Sequence, residues 1–483
     1  MLALSAAVTL ALYAGAASLP FFSEDFSHQG HVAAYSSWWQ ILDPQQVPFR
    51  PLQYAFFSVM VALGPIEPWL ARVPGFALYL VSALLVADLA RGLGCSRAGT
   101  WLTLLAYLCF PSVKALIWVA AISNPGRVAC ILAGLCLFAR HLERPRALTG
   151  IGVLVAQTLA LGFHQSGIVL ALACALLAWA SAGAPVRRGW REARQLRETW
   201  LLALLALVGA YSLAMSVLWS QRYPHGEPAA VVANVARATL ALVPETLRYA
   251  AIEGLRDRWG AAGLAFGATA LLGALLAYAA ALRAAPARER ALLAVIGLDL
   301  LLPALTVGFV VRYAQLAAAL GACLLGLGHD ALAARPRARR VLRGAVALLL
   351  AGWGLDTVYD EIEYRRAGAV QQSVIASASA VRARVGPQTT VALVDLPDTW
   401  GRERDIPLFN WGLRLALANA GVRGSWRLLR TRRGIGSSDA DLISLQELAE
   451  LAAQRSYPIL LFDRASTGLV ELDGSVPLDA GAR

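Results

Sequence analysis

Two adjacent carboxylates, Glu24 and Asp25, stand where the first long apolar segment of the chain ends. Further along, Arg50 lies within a Pro-Phe-Arg-Pro-Leu motif that returns an arginine to the same membrane surface. A carboxylate can take the proton of an attacking hydroxyl, and a guanidinium can bind phosphate through two parallel hydrogen bonds. Ionisable groups at a membrane boundary are costly without partners, so this pattern indicates a functional site. The alternative is that the acids only end one helix and start the next, with Ser23 as the cap.

Two histidines, His28 and His31, follow the acidic pair at a spacing that would let them share a metal ion with Asp25. A divalent cation, Mg²⁺ or Mn²⁺, is the one cofactor that this pattern leaves open. The same histidines could instead contact an acceptor substrate, or they could be solvated side chains at the membrane interface.

Further cations are expected on the same side of the membrane, at the ends of later spans. They are Arg127, His164 and Arg312, the last followed directly by Tyr313. Several cations facing two carboxylates are what a site for a phosphate-bearing lipid needs, because guanidinium groups bind phosphate in a bidentate way. The alternatives are that the two arginines reach lipid headgroups and that His164 is a packed or capping residue.

The elements that carry these residues must be membrane-spanning helices. Of the 483 residues, 58% are hydrophobic and 15% are charged, and the mean hydropathy is +0.56. Soluble globular proteins carry about 25% charged residues. Runs of roughly 20 apolar residues, each long enough to cross the hydrocarbon core, recur over the first part of the chain. The sequence therefore predicts a polytopic α-helical membrane protein.

The charge distribution gives the predicted topology. The formal charge of +12 is almost all arginine, and much of it lies in short loops on one side, which the positive-inside rule makes cytoplasmic. We therefore expect no nucleic-acid partner, a cytoplasmic N-terminus, and outer segments at 22–68, 220–258 and beyond 360. The first span is interpreted as a retained helix and not as a cleaved signal peptide. The eleven predicted spans are 2–21, 69–90, 99–119, 126–140, 147–163, 167–182, 200–219, 260–282, 291–311, 313–328 and 343–359.

Beyond residue 360 the chain changes to a soluble pattern in which helices and strands alternate. This alternation predicts a small α/β domain over 361–483, next to a membrane module over 1–360. Its role is either to support the outer face or to contact an acceptor. The predicted helices are 371–384, 407–420 and 444–455, and the predicted strands are 389–394, 426–431 and 458–462.

The six cysteines all lie within predicted spans or next to a cytoplasmic loop. None lies in an outer segment, so the sequence suggests neither a disulfide framework nor a metal cluster. We expect the cysteines to be small apolar packing residues.

The order of these motifs resembles the GT-C superfamily of membrane glycosyltransferases. An apolar span is followed by Ser-Glu-Asp-Phe at 23–26, by Pro-Phe-Arg-Pro-Leu at 48–52, and later by Arg-Tyr at 312–313. The pattern is most similar to bacterial relatives of the protein O-mannosyltransferases and of the tetratricopeptide-bearing mannosyltransferases. The resemblance covers roughly residues 1–330, with the outer C-terminal domain as a common kind of appendage.

The resemblance implies an inverting transfer of a sugar from a polyprenyl-phosphate donor to an acceptor of unknown class, at the outer face of the bacterial cytoplasmic membrane. The family's catalytic carboxylate lies in the first outer loop, commonly as an Asp-Asp or Asp-Glu pair. Asp25 matches the second position and is predicted as the base, while Glu24 replaces the first and would assist it or hold a metal. The late Arg312-Tyr313 is expected near the donor phosphate.

The chain departs from the family pattern at one more place. Relatives often carry Lys-Glu near the outer end of a middle span, where this chain has His164-Gln165. We expect Arg50, Arg127 and His164 to assist in binding the donor phosphate, although the flanking prolines would also let Arg50 chiefly fix a turn.

Two other classes of function are compatible with the sequence. A transporter or flippase of lipid-linked sugars would be expected to carry ionisable groups at mid-membrane depth, and Asp299 is the clearest such acid. No repeat of the first half is detected in the second, which disfavours this class. The other alternative is a non-catalytic membrane scaffold whose outer domain carries the activity.

Overall fold

A computed structural model of the chain describes residues 1–43, 50–64, 66–110, 116–144, 146–181, isolated positions between 203 and 299, 315–397, 399–400, 406–408, 413–431, 441–454, 457–463 and 466–472. Helices dominate this part of the chain, and a small sheet lies at its C-terminal end. The helices are α1 (Leu2–Tyr13), α2 (Ser23–Ala33), α3 (Pro51–Leu63), α4 (Pro68–Gly92), α5 (Arg97–Cys109), α6 (Ser123–Glu143), α7 (Ala147–Phe163), α8 (Val169–Ser181), α9 (Gln315–Ala331), α10 (Pro336–Val385), α11 (Leu413–Asn419) and α12 (Leu445–Gln454).

Short 3-10 turns connect several of the helices. They are Ala14–Ser18, Trp38–Leu42, Val119–Ile122 and Gln165–Ile168. The turn at Val119–Ile122 leads directly into α6, and the turn at Gln165–Ile168 leads into α8, so both lie where a helix of the membrane part begins.

Three helical stretches of the described residues are long and apolar enough to cross a membrane, namely Pro68–Gly92, Val119–Glu143 and Pro336–Val385. Shorter apolar helices cover Leu2–Ser18, Pro51–Leu63, Ala147–Phe163 and Gln165–Ala178. The helical membrane class is therefore confirmed, while the count of eleven spans stays a prediction. The spans predicted at 200–219 and 291–311 lie mostly outside the described residues, and about half of the residues of the span predicted at 260–282 are described.

Small residues set the spacing between helices in the membrane part. A Cβ on Gly326 of α9 would lie 2.7 Å from the backbone oxygen of Gly99 in α5. Only glycine permits this approach, because any side chain here would collide with the facing backbone. The cysteines are all free thiols that are buried or half-buried, which agrees with their predicted role in packing.

One helix, α10, runs without interruption for 50 residues from Pro336 to Val385. Proline at its first position suits a helix start, and Gly386, with φ of +79°, ends it in the left-handed region. The predicted span 343–359 and the predicted helix 371–384 are therefore parts of one element. The predicted division of the chain at 360 stays a prediction, and this helix continues across it.

The C-terminal domain has a five-stranded sheet in the order β5-β4-β1-β6-β7. β1 (Val391–Val394) is central and parallel to both β4 (Trp426–Arg430) and β6 (Ile459–Asp463). All four residues of β1 are buried, as expected for a strand covered on both faces. The remaining strands are β5 (Asp441–Leu442) and β7 (Gly468–Glu471) in this sheet, and the separate pair β2 (Thr399–Trp400) and β3 (Ile406–Pro407). The predicted α/β arrangement is thus confirmed.

Arg382, near the end of α10, attaches that helix to the sheet. Its guanidinium donates to the carbonyl oxygens of Gly386 and Ser425 at 3.0 and 2.8 Å. It also lies 4.2 Å from the ring centre of Trp426, the first residue of β4. Cation–π and hydrogen-bond contacts together join the long helix to the soluble domain.

Candidate functional site

The acidic pair lies in the first turn of α2. The helix begins at Ser23, its N-cap residue is Phe22, and Asp25 is the third helical residue. The Oδ2 atom of Asp25 accepts the backbone N–H of Phe22 at 2.9 Å, which satisfies an amide at the helix start. The predicted helix boundary is therefore present, but Phe22 and not Ser23 stands at the cap position.

The second oxygen of Asp25 joins α2 to a distant part of the chain. Its Oδ1 atom accepts the backbone N–H of Ala120 at 2.6 Å, in the turn that precedes α6. The side chain is 0% exposed. Burial raises the pKa of Asp25 to about 7, while its two backbone hydrogen bonds and the charge of Arg72 act in the opposite direction. Glu24, the neighbouring acid, is only half-buried.

Arg72, in the first turns of α4, is a buried cation that sequence reasoning missed. Its guanidinium is almost fully buried and donates to three backbone carbonyl oxygens. These belong to Ile117 at 2.6 Å, Leu19 at 2.8 Å and Pro20 at 2.6 Å. An arginine inside a predicted apolar span was the available signal, because such a residue needs partners within the protein.

The backbone of Ala120 links Asp25 to a second polar side chain. Its N–H binds Asp25, and its carbonyl oxygen accepts a hydrogen bond from Gln53 Nε2 at 2.7 Å. The same glutamine accepts, through Oε1, a hydrogen bond from Arg50 Nη1 at 3.4 Å. Gln53 lies one turn into α3, and the sequence analysis did not single it out.

Arg50 and His164, both predicted to bind the donor phosphate, lie in contact. Arg50 Nη2 is 3.1 Å from His164 Nε2. Because a guanidinium only donates, this imidazole nitrogen is the acceptor in the contact. Nδ1 lies 2.7 Å from Ser166 Oγ, which fixes the ring from its other side. The structure therefore brings these two residues together, and their role toward phosphate stays a prediction.

The two histidines of α2 pack against α3. His28 Nε2 lies 3.2 Å from Gln53 Nε2, and its ring centre is 5.1 Å from that of Phe57. Burial, with a smaller contribution from the positive charge of Arg50, lowers the pKa of His28 to about 3. The ring centre of His31 lies 5.4 Å from that of Tyr54. Both histidines thus make packing contacts in an aromatic environment.

The residues proposed for a metal do not fit one in this arrangement. Both oxygens of Asp25 accept backbone N–H groups, and His28 Nε2 faces Gln53. Within the part of the chain that the structure describes, no three His, Cys, Asp or Glu side chains lie together as metal ligands would. The divalent cation stays a prediction, and no chemical step below depends on it.

Arg127 lies in a different environment from Arg50. Its Nη1 atom is 2.5 Å from Asp299 Oδ1, and both side chains are 0% exposed. Arg127 was predicted to face the donor phosphate, but in the structure its positive charge is balanced by the carboxylate of Asp299. A buried pair of this kind is strongly destabilised by removal of either partner. Arg312 and Tyr313 lie outside the described residues, and α9 begins at Gln315.

The C-terminal part of the chain covers the acidic helix. Gln371 of α10 donates to the carbonyl oxygen of Phe21 at 2.8 Å. A Cβ on Gly30 of α2 would lie 3.0 Å from Leu415 in α11. Both the long helix and the soluble domain therefore pack against the segment that carries Glu24 and Asp25.

Comparison with solved structures identifies the fold. The chain matches ArnT from Cupriavidus metallidurans in the apo state with a TM-score of 0.52 and 12% identity, over 96% of this chain and 93% of that one. ArnT bound to undecaprenyl phosphate matches with the same score and identity over 95% and 92%. The chain thus shares the fold of these ArnT structures, which agrees with the resemblance of its motifs to the GT-C superfamily. No family model and no curated protein matches the sequence.

Proposed function

We propose that this protein transfers a sugar from a polyprenyl-phosphate-linked donor to an acceptor, with inversion at the anomeric carbon. The observation that carries the proposal is the hydrogen-bonded network that joins Asp25, one member of the acidic pair, to Arg50 in a chain with the fold of ArnT. One solved structure of this fold contains undecaprenyl phosphate. This supports the proposal that the sugar of the donor is carried on a lipid phosphate. We place the reaction at the outer face of the bacterial cytoplasmic membrane, with a cytoplasmic N-terminus and an extracytoplasmic C-terminal domain.

The base of this reaction must take a proton from the acceptor hydroxyl. The oxygen of that hydroxyl then bonds to the anomeric carbon while the bond from that carbon to the phosphate oxygen breaks. Asp25, predicted as the base, has no exposed atom and accepts two backbone N–H groups. Glu24 is adjacent and half-buried, so it has the better access to a hydroxyl. We therefore propose Glu24 as the base, with Asp25 as the rival that the experiment must distinguish.

The departing polyprenyl phosphate gains negative charge, which a fixed cation stabilises. Arg50 suits this role because His164 and Gln53 both accept from its guanidinium and so restrict its direction. A guanidinium binds phosphate oxygens through pairs of parallel hydrogen bonds. Arg312 is proposed as a second phosphate ligand on the strength of the sequence resemblance alone.

The test is sugar transfer by the purified full-length protein in lipid nanodiscs, with a panel of polyprenyl-phosphate sugars and with Glu24→Gln, Asp25→Asn and Arg50→Lys variants. We expect Glu24→Gln to lower the turnover rate by about 10²- to 10⁴-fold, the range for loss of a general base. Glu67→Gln, an exposed acid at the start of α4, is the matched control and should retain activity. Transfer that survives in Glu24→Gln but not in Asp25→Asn would return the role of base to Asp25.

The transporter alternative predicts a different result in the same preparation. Movement of a lipid-linked sugar across the bilayer without any transfer would contradict the proposed function. The buried pair of Arg127 and Asp299 would then be the first place to examine, since intramembrane charge pairs often line transport pathways.

A further inference from the structure

Two buried side chains of opposite charge, Asp25 and Arg72, form hydrogen bonds with the same two stretches of backbone. One stretch is 19–22, which leads into the acidic helix, and the other is 117–120, which leads into α6. Asp25 accepts an N–H from each stretch, and Arg72 donates to carbonyl oxygens of each. Five hydrogen bonds from two charged groups therefore join two segments that are about a hundred residues apart in the chain.

We infer that Asp25 and Arg72 form a positioning pair, called the brace below, that fixes Glu24 relative to Arg50. The inference deepens the proposed function and rests on it, because it assigns the brace the task of holding the base opposite the phosphate-binding cation. Neither member of the brace touches substrate in this assignment. Arg72 has no role in the resemblance or in any motif of the sequence.

The path from the brace to Arg50 is short and made of fixed groups. Asp25 accepts the N–H of Ala120, and the carbonyl oxygen of the same residue accepts a hydrogen bond from Gln53. Gln53 in turn accepts from Arg50. A shift of segment 117–120 would therefore move the hydrogen-bond acceptor that orients Arg50, while a shift of segment 19–22 would move Glu24.

Electrostatics makes the two members of the brace depend on each other. A buried charge is costly unless hydrogen bonds and an opposite charge compensate it. The opposite charges of Arg72 and Asp25 attract each other. Each guanidinium nitrogen of Arg72 and each carboxylate oxygen of Asp25 also forms a hydrogen bond with a backbone group. Removing either one leaves the other as a poorly compensated charge and releases both backbone segments.

The experiment compares Asp25→Asn, Arg72→Lys and the double variant in the transfer assay. Asparagine keeps one acceptor oxygen but loses the charge, and lysine keeps the charge but cannot reach carbonyl groups of both segments. We expect each single variant to lower kcat by about tenfold with the donor KM within about twofold, the pattern of a positioning defect. The double variant should be no slower than the slower single variant, because both substitutions disrupt the same brace.

Asp88→Asn is the matched control. Asp88 lies on α4, the helix that also carries Arg72, but away from the brace, and it forms an ion pair with Arg140. It should leave kcat at the wild-type value. Losses that multiply in the double variant, to about a hundredfold, would show two independent roles and overturn the brace.

The pH dependence of kcat/KM separates positioning from general stability. Two adjacent carboxylates repel each other, so removing the charge of Asp25 should move the acidic limb of the profile to lower pH. Arg72→Lys keeps both acids and should leave that limb in place. If Asp25 is itself the base, Asp25→Asn would remove turnover as fully as Glu24→Gln does, and the inference fails.

Amide hydrogen exchange tests the brace without any enzymatic activity. Arg72 does not bind the N–H of Ala120, yet Arg72→Lys should speed exchange in peptides that cover 116–122, because the brace holds that segment as a unit. Unchanged exchange there would overturn the inference. If the wild-type protein transfers no sugar, the proposed function fails. Amide hydrogen exchange would still show whether Arg72 and Asp25 hold segment 117–120 in place. Arg72→Lys alone gives the result if Asp25→Asn does not fold.

Discussion

Asp25 and Gln53 bind the two polar backbone groups of one residue, Ala120. Asp25 accepts its N–H at 2.6 Å, and Gln53 donates to its carbonyl oxygen at 2.7 Å. The turn before α6 is therefore fixed between α2, which carries the acids, and α3, which begins beside Arg50. The backbone of Ala120 therefore connects Asp25 to Gln53, the glutamine that accepts a hydrogen bond from the proposed phosphate ligand Arg50.

Replacing Gln53 by methionine should loosen this connection. The variant keeps the length of the side chain but leaves the buried carbonyl of Ala120 without its donor and Arg50 without one acceptor. We expect the free energy of unfolding to fall by about 1–3 kcal/mol, the cost of an unsatisfied buried polar group. Denaturant titration in detergent measures it. Thr158→Val, which removes an exposed hydroxyl that binds its own helix, should be nearly neutral.

Replacing His164 by alanine should weaken donor binding more than turnover. The imidazole accepts from Arg50 and so restricts its guanidinium. Loss of one hydrogen bond to a charged group, about 1.5–3 kcal/mol, corresponds to a rise in donor KM of roughly ten- to a hundredfold. Steady-state kinetics with the acceptor saturating measures it. His141→Ala alters a buried histidine that contacts Thr149 near the start of α7 and should leave KM unchanged.

The neutral state of His28 should make stability fall in acid. Burial lowers its pKa from 6.5 to about 3, so the unfolded chain binds a proton at a pH where the folded protein does not. The stability that neutral His28 contributes is complete above pH 6.5 and is lost as the pH falls through about 3. His28→Phe should reduce the drop in melting temperature between pH 7 and pH 4. An equal drop in both proteins would contradict the assignment.

Replacing Gly368 by alanine should push α10 away from the acidic helix. A Cβ at this position would lie 2.8 Å from the ring of Pro20, which cannot rotate away. We expect a loss of about 1–3 kcal/mol in stability, typical of overpacking, together with reduced transfer. Gly344→Ala is the control on the same helix, because nothing lies within 4 Å of its Cβ position. That change should leave stability equal or raise it by up to about 1 kcal/mol.

Much of the fold was accessible from the sequence, because apolar runs and alternating elements leave regular patterns. The membrane class and the small α/β domain were predicted, and a helix start at Glu24 and Asp25 was the alternative to a functional site. The continuity of α10 was not. Charged residues between 356 and 366 mark the exit from the apolar region, but no proline or glycine there stops the helix. The pattern reports polarity, and polarity does not end a helix.

The site was less accessible, because its central contacts go to backbone atoms. Arg72 binds three carbonyl groups, and Asp25 binds two N–H groups, so neither partner has a side chain that a pattern could reveal. The pairing of Arg127 with Asp299 joins residues 172 positions apart, a relationship that only the fold creates. The contact between Arg50 and His164 was anticipated as proximity on one face, without its geometry.

The packing of α10 on the acidic helix also constrains how the protein is made. Phe21 receives its hydrogen bond from Gln371, which is synthesised 350 residues later. At a synthesis rate of about 5–20 residues per second, roughly 20 to 70 s pass between the synthesis of Phe21 and that of Gln371 in α10. During that interval the segment that leads into the acidic helix lacks the long helix that covers it in the folded protein.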